Sequence, residues 1–85
     1  MFCIWAKVLK EEHIQKQFVY ESDKKFAYSE FFTYLSEICS ALDEPTPVLL
    51  KTHIFNYAKF HHVVFRKDDF IEQVPFDKLV LESIR

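Results

Sequence analysis

The chain has 85 residues and no glycine, with 49% hydrophobic and 18% aromatic residues and a formal charge of −2. Only glycine lets backbone approach a phosphate closely or take a positive φ at low cost, so P-loops, G-x-G-x-x-G turns, G-x-S-x-G elbows, EF-hand loops and the glycine-bearing signatures of RRM and KH domains are excluded. The balanced charge gives no basic footprint for a nucleic-acid duplex, and the apolar content is too high for a disordered chain.

Residues Phe2 to Leu9 read as a strand, with Phe2, Ile4, Ala6 and Val8 on one face and Cys3, Trp5, Lys7 and Leu9 on the other. Both faces are partly apolar, which predicts a central position. Lys10-Glu11-Glu12 is a turn, and the alternation of Ile14, Lys16, Phe18 and Tyr20 predicts a second strand returning as a hairpin. Without Gly or Asn, a longer loop built on a type I turn is expected there. The same reasoning predicts no positive φ in any loop.

Glu21 to Lys25 is a loop, and from Ser29 the period changes to 3.6. Phe31, Leu35, Ile38 and Leu42 recur at steps of four, three and four, with Ser29 as N-cap and with Phe32 and Cys39 widening the apolar stripe. Pro45 and Pro47 end this helix. Val48-Leu49-Leu50 reads as a short buried segment. Thr52 caps a brief second helix to about Lys59, with Ile54, Phe55 and Ala58 expected inward. His62 to Arg66 is a strand, Lys67-Asp68-Asp69 a turn, Phe70 to Pro75 an extended piece held to an edge by its proline, and Leu79 to Ile84 the last strand. The order β-β-α-α-β-β predicts an α+β two-layer sandwich, an antiparallel sheet covered by helices on one face.

A chain of this mass buries about 64% of its extended surface on folding, enough for one modest core, so residues 1–85 form one domain. Ten Phe, four Tyr and one Trp are hard to hide in so small an interior. Some aromatic surface is therefore expected in an interface or groove. Cys3 and Cys39 read as reduced, buried thiols. The apolar start is too short for a signal h-region or a membrane span, which predicts a cytoplasmic protein with no membrane partner.

His53, His61 and His62, with Asp68 and Asp69 nearby, form the only group with metal-ligand chemistry. Adjacent strand residues face opposite ways, and no H-E-x-x-H or paired C-x-x-C is present, so one packed and one solvated histidine is the expectation at 61 and 62, with no metal or cofactor. Asp68, Asp69, Glu72 and Asp77 could supply an acid–base pair, though such a run usually forms a solvated turn. Trp5 and Tyr57 could stack on single-stranded nucleic acid, but their periods fit core positions.

Charge is uneven along the chain. Residues 29–50 carry Glu30, Glu37, Asp43 and Glu44 with no base, whereas residues 51–62 carry Lys51 and Lys59 with no acid. Lys51, His53, Lys59, His61 and His62 therefore form the candidate interaction patch, for a second copy or another protein. The leading expectation is a non-enzymatic protein-binding or self-associating domain. The alternatives are a small metal- or thiol-dependent enzyme using His53, His61, His62 or Cys39, and a weak single-stranded nucleic-acid binder.

Trp5-x-Lys7, Glu37-Ile38-Cys39 followed by Leu42-Asp43, Pro47-Val48-Leu49-Leu50, Phe65, Asp69-Phe70-Ile71-Glu72 and Phe76-Asp77-x-Leu79 occur in an order that resembles a family of small bacterial proteins, frequent in Firmicutes. The resemblance spans nearly the whole chain. Members often carry Trp at the position of Leu49 and an Asn-like residue near His53. The resemblance implies a bacterial, cytoplasmic, single-domain protein, and it brings no assigned activity, cofactor or catalytic residue.

Overall fold

The structure is a computed structural model that describes residues 1–84. Strands β1 (Phe2–Lys10) and β2 (His13–Ser22) form a hairpin, helices α1 (Phe31–Leu42) and α2 (Lys51–Phe60) follow, and β3 (His62–Arg66) and β4 (Lys78–Ser83) complete an antiparallel sheet of order β2-β1-β4-β3. This is the α+β arrangement expected from the periodicities, with β1 central.

Register explains why one face is covered. Ile4, Ala6 and Val8 of β1 stand beside Leu79 and Leu81 of β4, and these beside Val63 and Phe65 of β3. All are buried in one cluster with Phe31, Leu35, Ile38 and Leu42 of α1 and Tyr57 of α2. Each of these Val, Leu, Ile and Phe side chains contributes about 1.5–3 kcal/mol by leaving water. Both helices thus lie on one face. The opposite face carries Trp5, whose Nε1 donates to Gln17 Oε1 at 3.0 Å, and Lys7, whose ammonium lies 4.2 Å from the Trp5 ring and 3.1 Å from Glu82 Oε1. The cluster at one end is aromatic: Phe2, Phe26 and Tyr34 meet at 4.9–5.4 Å, and Tyr57 sits 5.1 Å from Phe31.

Local expectations fail where tertiary geometry overrides composition. The hairpin closes through two residues only, since Lys10 pairs with His13, and Glu11 and Glu12 take φ of 52° and 66°. A primed two-residue turn matches the twist of the strands, and that match outweighs the missing glycine. Asp43 and His61, which end α1 and α2, are left-handed as well. Ser29 does not cap α1; it lies in a 3₁₀ turn, Tyr28–Glu30, that leads into the helix. Phe32, 57% exposed, points away from the core because Tyr34 fills the other flank of the stripe beside Phe2.

Of the expected buried segment only Leu49 packs partly against the core; Val48 and Leu50 are exposed, and Pro47 is buried instead. Phe70 to Pro75 is not the expected edge strand and pairs with no strand of the sheet. It is an irregular loop that sends Phe70, Val74 and Phe76 into the core and leaves Ile71 91% exposed. No helix among the described residues is long and apolar enough to cross a membrane.

Candidate functional site

Of the basic segment's side chains, the structure keeps Lys51, Lys59, His61 and His62 on the surface and takes His53 away from it. His53 is 7% exposed. Its Nδ1 accepts the Leu50 N–H at 2.9 Å, satisfying a free amide at the start of α2, so the ring proton sits on Nε2, 3.5 Å from Asp69 Oδ2. The ring packs 4.5 Å from Phe65. Asp69 Oδ2 also accepts the Arg66 N–H at 2.9 Å. His53 is thus a polar pin between α2, β3 and the turn after β3, and both its nitrogens are engaged.

With His53 inward, the phase of α2 is fixed. His53 and Tyr57, one turn apart, are the buried residues; Ile54 packs partly buried against the core as expected, whereas Phe55 and Ala58 point out, against the expectation. A polar residue on the core side is what hid this from a hydrophobic pattern. The outward line of α2 is Lys51, Phe55 and Lys59 at spacings of four, with Phe55 77% exposed between the two lysines. Phe60 at the helix end is 53% exposed, and the Lys59 Nζ lies 5.4 Å from its ring.

Between α2 and β3 runs an open groove of about 370 Å³. One wall is Thr52, Asn56 and Phe60, and the other is His62, Val64 and Arg66. His53 and Asp69 also line it, and the loop before α2 docks on Asp69 through the Val48 N–H, which donates to the Asp69 carbonyl at 2.7 Å. His61 ends α2 and His62 opens β3 with Nδ1 3.2 Å from the Phe60 carbonyl. Both are exposed, against the expectation of one packed and one solvated histidine.

The remaining candidates do not assemble. Among the described residues, no group of three or more His, Cys, Asp or Glu could hold a metal ion. Cys39 is fully buried, and burial pushes its thiol up to about 11. Cys3 is also buried, and neither cysteine is bridged. Asp77 accepts the Glu11 N–H at 2.7 Å, and Asp69 is committed as described. Tyr57 is buried against Phe31, so its ring offers no stacking platform. No protein-family model, curated protein or solved structure matches the chain, so the functional reading rests on its own residues.

Proposed function

We propose that this chain is a non-enzymatic domain of the cytoplasm that binds another protein through α2 and the neighbouring strand β3. The observation that carries this reading is Phe55, a large apolar side chain left in water at the centre of a helix face and flanked by two lysines with no acid in the helix. Aromatic anchors with cationic neighbours are typical of binding hot spots, and an exposed phenylalanine has no role in holding a small domain together. The enzyme reading has less to stand on. Its best base, His53, is engaged at both nitrogens, and the Cys39 thiol is held protonated in the core.

The test is a photo-crosslinking amino acid placed at Phe55 or, as control, at the exposed Thr33 of α1, in the cell of origin. Discrete protein adducts are expected from position 55 and not from position 33. No adduct from position 55, or equal adducts from both, would remove the reading.

A further inference from the structure

Building on the protein-binding reading, we propose that the groove between α2 and β3 receives an extended acidic segment of a partner protein, which pairs with the open edge of β3 as a fifth strand. β3 lies at the sheet's edge. His62 faces Glu82, and the Ser83 N–H donates to the His61 carbonyl at 2.8 Å, so the His61 C=O and both backbone groups of 63 and 65 face β4, while the His61 N–H closes α2 on the Tyr57 carbonyl. The N–H and C=O of His62 and Val64 therefore point away from the sheet, toward the groove. Arg66 obeys the same alternation, and its outward N–H is the one that Asp69 takes up. The edge is thus closed at Arg66 and open from His62 to Val64.

The other edge is defended. On β2, Val8 pairs with Lys16 and Leu9 with Ile14, which leaves Gln15 as a bulge that breaks the ladder. β3 has no bulge and no proline. It also has a helix alongside, so an added strand would rest against Asn56 and Phe60, the arrangement by which strand-addition domains hold peptides.

Charge selects the occupant. Arg66 lines the groove, and Lys59 stands beside it with its Nζ 5.4 Å from the ring of Phe60, while the groove's acid, Asp69, is already matched by the Arg66 N–H and His53. Asp68 is exposed on the turn after β3. An acidic segment complements this rim. A second copy pairing β3 to β3 about a two-fold axis would instead lay α2 against its antiparallel mate and bring Lys51 and Lys59 toward each other's counterparts.

The experiment pans a displayed library of random peptides about nine residues long, enough to span the edge strand, on the immobilised full chain. Enrichment of acidic sequences is expected. The best of them should slow exchange of the Val64 N–H about tenfold while the Val63 and Phe65 amides, already paired to β4, stay unchanged. Val64→Pro removes an outward N–H that β4 does not use, a substitution edge strands tolerate, and should weaken that peptide about tenfold. Should Val64→Pro not fold, the exchange measurement on the unaltered chain decides alone. Lys59→Glu with Arg66→Glu should weaken it by a similar factor.

Failure to enrich, enrichment of neutral or basic peptides, or binding that leaves the Val64 amide unprotected would overturn the proposal. So would Val64 protection in the absence of peptide with a mass of two chains, which assigns the edge to a second copy. Adducts at Phe55 alongside an inert groove would leave the protein-binding reading standing and remove strand addition alone.

Discussion

The two-residue turn Glu11-Glu12 is the position where the chain works hardest against its own composition. Both residues are left-handed, at φ of 52° and 66°, in a sequence without glycine. A non-glycine residue in that region costs about 1–2 kcal/mol, and a glycine there returns roughly 0.5–1 kcal/mol of this through its larger entropy loss. Replacing the pair, Glu11→Asn with Glu12→Gly, supplies the residues a primed turn prefers. The contacts given up are small. The Glu11 N–H that donates to Asp77 Oδ2 belongs to the backbone, so that bond survives, and the Glu12–Lys78 pair, 3.9 Å apart with an exposed carboxylate, is worth little. The net gain is about 1 kcal/mol, which for a domain of this length raises Tm by about 4–8 °C in a thermal melt followed by circular dichroism. An unchanged or lowered Tm, with the fold intact, would refute the argument that this turn carries backbone strain.

His53→Ala removes the acceptor for the Leu50 N–H and the contact with Asp69, and should destabilise by about 2–3 kcal/mol in urea unfolding, while His53→Asn, which keeps a short acceptor, should recover part of it. Tyr57→Ala should cost about 3–5 kcal/mol because the ring is buried against Phe31, whereas Phe55→Ser on the same helix should change stability by no more than about 0.5 kcal/mol; similar losses from both would contradict the phase of α2. The Cys39 thiol, raised by burial from 9.0 to about 11, ionises first in the unfolded chain, so its contribution is intact below pH 9 and is lost as pH rises toward 11. Cys39→Ala should therefore flatten the alkaline fall in stability between those values, by up to about 1.4 kcal/mol per pH unit, in denaturant titrations at a series of pH values.

What the sequence made legible were the elements whose periodicity comes from a single buried face. β1 shows alternation and α1 a 3.6-residue stripe because Ile4, Ala6 and Val8, and Phe31, Leu35 and Ile38, each need only one neighbour layer. In α2 the helix and the inward Ile54 were legible, but Phe55 and Ala58 were not, because its inward line runs through His53, whose polarity is answered by the Leu50 N–H and Asp69. Glu11, Glu12, Asp43 and His61 take positive φ without glycine for a related reason: strand twist and helix ends set φ, and residue preference only sets what that φ costs. Phe70, Val74 and Phe76 alternate like strand residues, yet they cap the core from a loop, since periodicity reports burial and not pairing. The basic character of residues 51–62 was visible in the sequence. That its neighbour is an open strand edge was not, because sheet order is decided by where β4 inserts.

The groove's own dimensions limit what backbone pairing can do there. His62 and Val64 offer outward groups, while Arg66 has one already taken by Asp69, so an added strand gains about four hydrogen bonds. At about 0.5–1.5 kcal/mol each, these supply roughly 2–6 kcal/mol, against an association cost of at least about 4 kcal/mol. Backbone pairing alone would therefore leave a partner bound in the millimolar range or weaker. The remainder has to come from side chains. Phe60 and Phe55 can bury aromatic surface, and Lys59 and Arg66 can meet carboxylates. A partner that loses its acids should thus bind little better than water-exposed backbone permits, even though no ladder hydrogen bond is touched. The short open edge makes charge and aromatic contact the source of selectivity, and it leaves to the ladder the task of fixing register.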